Sequence, residues 1–302
     1  MLFTALLTAF VTWSLTAGSL PNAAAIALGI VVGAAFWIFG RHTHDGIPAI
    51  DLLARKSRFA GVNAALKVWS SSILLALCIC SQSVWPPLAL LFLMALLTVA
   101  VGGLPLQDYL SLLALPAAFL LLSGLALLWD FAPSAVGVVD LPCFGGYFTV
   151  LPAAQISARL VMARALGAVS CLYLLSLSTP MPEILSVLRR AHVPSIVIEL
   201  AVLIYRYIFI LLATHRNMKD AAASRLGFGP LKRSLRTTGK LYGNLLSRSF
   251  RRAGAYFDAM ESRCYAGDIR FLDRVKPIVR RDAVLFGTLI LAAALAVVST
   301  YL

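Results

Sequence analysis

Residues 195–227, SIVIELAVLIYRYIFILLATHRNMKDAAASRLG, and residues 237–267, TTGKLYGNLLSRSFRRAGAYFDAMESRCYAG, decide how this chain is read. From Ser195 to Leu226 there is neither Pro nor Gly, so the segment reads as one long helix. Ser195 is a candidate N-cap, and Gly227 is placed to end the helix in a left-handed turn. Gly229-Pro230 opens a linker holding Lys232, Arg233 and Arg236. A second helix is expected from about Thr237 to Tyr265, closed by Gly267. At 1.5 Å per residue such a rod is roughly 40 Å long, far more than a connection needs. Both helices are amphipathic. Met218, Ala221, Ala222 and Arg225 recur at helical spacing in the first. Tyr242, Leu246, Ala253, Tyr256, Phe257, Met260 and Cys264 form the apolar stripe of the second, with Arg263 at its border. Each helix ends in the same pair, Ser224-Arg225 and Ser262-Arg263, with the two pairs 38 residues apart.

These segments lie in a basic block. Residues 189–281 hold 19 of the 26 Lys and Arg and six acids, so their net charge of +13 equals that of the whole chain. Elsewhere the chain is apolar: 60% of residues are hydrophobic, 13% are charged and the mean hydropathy is +0.88. Soluble domains carry about 25% charged residues. The composition therefore reads as an all-α, polytopic helical membrane protein. Because the basic residues cluster beside apolar runs, they follow the positive-inside bias and give no nucleic-acid surface. The five cysteines have neither disulfide-framework nor zinc-site spacing and read as buried, inert thiols.

A transmembrane helix needs about 20 residues, with roughly 17 as the lower limit. Leu2–Ala17 and Ala23–Phe39 are short candidates. No base precedes Arg41, which favours two spans over a cleaved signal peptide. Arg41–Lys67 is a polar connector with five bases, assigned to the cytoplasm. Its His42, His44 and Asp45 could ligate a divalent ion, but a solvated loop is the simpler reading. Val68–Gln82, Pro87–Val101 and Tyr109–Trp129 follow as spans. Asp130–Val150, with two acids, no base and several Pro and Gly, reads as an external loop. Ala163–Thr179 is the next span, entered past Arg159 and Arg164, which either snorkel to the interface or face a partner within the membrane. Glu183–Ala191 forms a short helix. Ile196–Ala213 is apolar enough to span but contains Glu199 and Arg206; a helix packed at the cytoplasmic interface is preferred. Ala283–Leu302 is the last span. The count is six to seven, with every dense basic cluster on one side.

One arginine near a helix C-terminus is commonly a dipole partner worth about 0.3–1 kcal/mol. The same placement twice, beside apolar stripes that need a partner, points instead to a paired docking device. The planar Arg fork pairs bidentately with carboxylate, so two such tips suit acidic grooves on two similar subunits.

At these residues the chain resembles the transmembrane T component of energy-coupling factor (ECF) transporters, and most closely the CbiQ-type subunit of cobalt uptake systems. That family carries a paired short motif, Ala-Arg-Gly or a close variant, at the ends of two coupling helices. The matching triplets here are Ser224-Arg225-Leu226 and Ser262-Arg263-Cys264. Arg164 through Ser178-Thr179-Pro180 is similar to the family's Arg-containing span, and Leu188–Pro194 with Tyr205-Arg206-Tyr207 to its entry into the first coupling helix. The likeness covers roughly residues 50–302. With the segment that precedes it, the chain is expected to have four parts: an N-terminal helical hairpin (1–45), a transmembrane helical domain (46–182), a cytoplasmic coupling-helix module (183–282) and a C-terminal transmembrane helix (283–302).

The resemblance further implies a scaffold in the inner (cytoplasmic) membrane, without catalytic activity or cofactor. Ser224, Arg225, Ser262 and Arg263 would dock ATP-binding-cassette subunits (CbiO-like), and Arg159, Arg164 and Arg206 would be available to partners inside the bilayer. The substrate, most simply cobalt, would be held by a separate membrane subunit (CbiM-like). The chain has no Gly-rich loop followed by Lys-Ser/Thr, so it is not itself the ATPase. Two competing readings make distinct demands. A lipid-modifying transferase would need paired acids near the cytoplasmic interface, and the acids there have no metal-binding spacing. A stand-alone permease would need polar interruptions at mid-span, and the spans are almost uniformly apolar.

Overall fold

The computed structural model describes residues 2–16, 24, 26–32, 47–132, 139–143, 146–265 and 276–301. His42, His44, Asp45 and Gly267 lie outside them. The chain divides into two compact units, Met1–Pro180 with Lys276–Leu302, and Met181–Val275. The described residues are overwhelmingly helical, as expected of an all-α polytopic membrane protein.

The first unit contains α1 (Leu2–Thr16), a helical segment α2 (26–32), α3 (Ile47–Lys56), α4 (Ala64–Cys80), α5 (Trp85–Leu96, continued by a π turn Leu97–Val101), α6 (Leu106–Leu128), α7 (Pro152–Ser178) and α11 (Arg280–Val298). Here α7 is the hub: α3, α4, α5 and α6 all pack on it, and α11 closes against α4. The core joins Phe59, Leu74, Cys78, Leu90, Met94, Leu97, Cys171, Leu174, Phe286 and Ala293. Gly167 lets α7 come this close: a Cβ there would lie 2.7 Å from Cys78 Sγ and 2.8 Å from the Pro87 carbonyl oxygen. Four described helices, α6, α7, α9 (Ser195–Ser224) and α11, are long and apolar enough to cross a membrane. Leu6–Thr16, Ala64–Cys80 and Trp85–Val101 are shorter apolar helices.

Two segments depart from the sequence reading. The expected external loop contains a three-stranded antiparallel sheet of order β1-β3-β2, from β1 (Trp129–Ala132), β2 (Asp140–Cys143) and β3 (Gly146–Val150). Pro142 is accommodated because β2 is an edge strand, and Phe131 pairs with Phe148 across β1 and β3. In addition, α7 begins at Pro152, so Arg159 and Arg164 lie inside the helix rather than at its mouth. The thiols also differ from expectation: Cys78 and Cys171 are buried, but Cys80 and Cys264 are exposed.

One end of the first unit is held by a buried cation, Lys67, and a half-buried one, Lys276. Lys67 is 3% exposed, and its ammonium donates to the carbonyls of Phe59 (3.0 Å) and Ser178 (2.8 Å). A cation at the end of α7 satisfies a terminal carbonyl and suits the helix dipole. Asn63 caps α4 through the Ala65 amide and donates to the Lys276 carbonyl at 2.6 Å, and Lys276 Nζ returns a bond to the Ala60 carbonyl. Far along the same helices Tyr301 donates to the Cys80 carbonyl at 2.6 Å. With contacts at both starts and both ends, α4 and α11 run parallel.

The second unit contains α8 (Met181–Arg190), α9 and α10 (Leu231–Glu261). Pro194 and Pro230 are the N-caps of α9 and α10, with no side-chain capping bond, so Ser195 is the first helical residue and not the cap. Pro needs no amide partner and supplies the extended geometry that precedes a helix. For the same reason Lys232, Arg233 and Arg236 belong to the first turns of α10, not to a linker; Lys and Arg are good helix formers.

Candidate functional site: the paired helix tips

The C-termini of α9 and α10 have one construction. At the first, Arg225 is the C-cap and Leu226 takes the left-handed conformation, φ 54°. The Leu226 amide donates to the Ala223 carbonyl (3.0 Å) and the Gly227 amide to the Ala222 carbonyl (2.8 Å). At the second, Arg263 is followed by left-handed Cys264, φ 58°. The Cys264 amide donates to the Glu261 carbonyl (3.0 Å) and the Tyr265 amide to the Met260 carbonyl (3.1 Å). These crossed bonds make a Schellman motif. They place both arginines at the same step of the same motif, exposed to solvent.

Gly227 therefore does not supply the left-handed turn; Leu226 does. Gly227 is required for space, because a Cβ would lie 2.7 Å from the Ala222 carbonyl oxygen and 3.1 Å from Thr237 Cγ2. The two serines are turned back on their own helices. Ser224 Oγ donates to the Asp220 carbonyl (3.0 Å) and Ser262 Oγ to the Ala259 carbonyl (3.1 Å). They finish the last turns and leave the guanidinium groups as the projecting polar features.

Side-chain contacts arrange α9 and α10 as an antiparallel hairpin. Thr237 Oγ1 donates to the Gly227 carbonyl at 2.8 Å near the turn. His215 stacks on Tyr242 with ring centres 5.3 Å apart. Midway, Arg252 donates to Thr214 Oγ1 (3.0 Å), and Arg206 donates to the Tyr256 hydroxyl (3.1 Å) while lying over its ring. At the open end the Tyr265 hydroxyl donates to Glu199 Oε2 at 2.9 Å. Because the hairpin is antiparallel, its two tips are at opposite ends. The 31 residues of α10 separate them by roughly 46 Å at 1.5 Å per residue.

The stripe of α10 is divided along its length. Leu241 is buried, Tyr256 is half-buried beside Arg206 and Tyr207 of α9, and Met260 is half-buried, while Tyr242, Leu246 and Phe257 remain exposed. The three arginines expected to meet partners inside the bilayer have contacts within the chain. Arg206 is bound to Tyr256 as above. Arg164 Nε donates to the Ser81 carbonyl at 2.7 Å, closing the C-terminus of α4. Arg159 Nε donates to the Gln155 carbonyl at 3.2 Å, and the Gln155 amide reaches the Ser14 carbonyl of α1 at 2.9 Å. Among the described residues no three His, Cys, Asp or Glu side chains gather into a metal-binding group. Sequence reasoning missed Glu199, Tyr265 and Thr237 as the groups holding the tips; the lone acid in an apolar helix was the available signal for the first.

The fold and its paired tips define a class: a polytopic helical membrane protein bearing a two-ended helical hairpin. The sequence matches the family described as CbiQ, cobalt transport protein, over residues 56–272, and the chain belongs to that family. It is 31% identical over 229 residues to the cobalt transport protein CbiQ of Rhodobacter capsulatus, covering 75% of this chain and 88% of that one. An uncharacterized protein of Methanocaldococcus jannaschii is 30% identical over 227 residues, 75% of this chain and 84% of its own length. A putative fused cobalt transport protein CbiMQ of Methanocorpusculum labreanum is 29% identical over 232 residues, 76% of this chain and 39% of that longer one.

Proposed function

We propose that this chain is the energy-coupling transmembrane subunit of an ECF-type importer for a transition metal ion, cobalt. In this reading α9 and α10 are the coupling helices and lie on the cytoplasmic side of the inner membrane. Arg225 and Arg263, shaped by Ser224 and Ser262, dock into acidic grooves of two ATP-binding-cassette subunits. Closure of those subunits on ATP displaces the hairpin, and the displacement passes to a CbiM-like membrane subunit that holds the ion. The fused CbiMQ relative supports the last partnership, since its name joins the two components in one chain.

The observation that carries the proposal is the repetition of one cap, with arginine at the same step, at both ends of a hairpin roughly 46 Å long. A dipole partner needs no such repetition, whereas two similar motor subunits standing side by side do. The test is the double variant R225E/R263E, expressed with the ATPase subunits. A charge-assisted hydrogen bond is worth about 1.5–3 kcal/mol, so losing both tips weakens assembly by on the order of 100-fold or more. The expected outcome is membrane insertion at normal level with the ATPase subunits lost on purification. Normal copurification together with continued cobalt uptake would overturn the docking role.

A further inference from the structure

Each tip is anchored to the opposite helix at the same step of its cap. Gly227 and Tyr265 are each the second residue after the tip arginine, and each closes the longer Schellman bond of its motif. The Gly227 carbonyl accepts from Thr237 Oγ1 of α10 at 2.8 Å. The Tyr265 hydroxyl donates to Glu199 Oε2 of α9 at 2.9 Å. The capping bonds alone fix only the local path of the last turn. Whether Arg225 and Arg263 hold a constant direction depends on what holds the residue that leaves the cap. Glu199 is 4% exposed, so its carboxyl is a fixed point rather than a mobile surface group. Breaking a bond to a buried polar group is costly. Thr237 is likewise placed by close packing, its Cγ2 being 3.1 Å from where a Gly227 Cβ would stand.

We infer that Glu199 and Thr237 are positioning residues for docking, each latching one arginine tip to the other helix. Neither touches the docked subunit, and the two latches are independent because they sit at opposite ends of the hairpin. The consequence for docking rests on the proposed function; the latching itself does not.

The experiment uses the full chain in lipid nanodiscs, with the Cys80 and Cys143 thiols replaced by Ser. A nitroxide on native Cys264 reports the second tip, and one on L226C in a C264S background reports the first. In the absence of ATPase subunits, Y265F and E199L should mobilise the label at 264 and leave that at 226 unchanged. T237V should do the reverse, and E199Q, whose amide oxygen can accept the same bond, should restore the motion seen at 264 in the parent. Unchanged mobility at 264 in Y265F overturns the latch, as does equal loosening of both tips, which would mean general destabilisation. With ATPase subunits added, Y265F in an R225E background should lower their affinity about fivefold, the effect of one lost hydrogen bond. If the labels respond as expected but R263E still binds the ATPases normally, the docking reading fails and the latch stands.

Discussion

Leu226 and Cys264 occupy the backbone position that a Schellman cap most often gives to glycine. For an L-residue the left-handed conformation costs about 1–2 kcal/mol, and both residues adopt it, at φ 54° and 58°. Leu226 is 76% exposed, so no packing at that site repays the strain. Replacing it by Gly should therefore stabilise the tip by about 1 kcal/mol. The reporter is hydrogen exchange at the Leu226 and Gly227 positions, whose amides make the crossed bonds. Exchange of a peptide covering 218–230 should slow about fivefold in L226G, the factor that corresponds to 1 kcal/mol. Faster exchange would show that the leucine supports the cap in some other way. The Ser-Arg endings were legible in the sequence because Pro, Gly and apolar spacing bound them closely. The residue taking the left-handed turn was not. Glycine preference is a local rule, and here Gly227 is needed for its lack of a side chain, first against the Ala222 carbonyl of its own last turn and then against Thr237. The Thr237 part of that requirement comes from the second helix and has no local sequence signature.

At the scale of elements, α7 shows what apolar patterning can and cannot reveal. The run from Ala163 marks a helix, but the eleven preceding helical residues include a charged one that reads as a boundary. Arg159 and Arg164 remain within the helix because each guanidinium finds a carbonyl: Gln155 for the first and Ser81 for the second. The first partner is one turn back in the same helix, but the second is 83 residues away, and a composition window anticipates neither. The sheet after α6 was hidden in a similar way. Turn-forming Pro and Gly dominate the segment, and pairing between Trp129–Ala132 and Gly146–Val150 is visible only once both strands are placed. The hub role of α7 predicts a sharp sensitivity at Gly167, where α4 and the start of α5 approach most closely. A methyl group would meet a backbone carbonyl at 2.8 Å, and backbone cannot give way as a flexible side chain can. G167A should cost about 1–3 kcal/mol by overpacking. Its apparent melting temperature in detergent should fall by roughly 2–4 °C per kcal/mol. An unchanged transition would mean that α7 and α5 separate readily, contrary to a packed hub.

For the whole molecule, the division of labour between the two units makes the docking reading quantitative. In the first unit, α4 and α11 run parallel, and Lys67, Lys276 and the Arg280-Arg281 start of α11 belong to the starting ends of that pair. Clustered bases at one end of parallel helices are what the positive-inside rule requires of a single membrane face. The second unit offers two tips of equal construction but separate anchorage, so each should accept one motor subunit without the other. A single substitution then has a defined consequence. R225E should leave one ATPase subunit bound through Arg263, and R263E should leave one bound through Arg225. Native mass spectrometry of the purified complexes would read this directly, with both bound in the parent and neither in the double variant. Each single variant should also lose transport, because a hairpin driven from one end is free to swing about the other. If either single variant released both ATPase subunits, the motors would be binding as a preformed pair. If both single variants retained two, the arginine tips would not be the points of attachment.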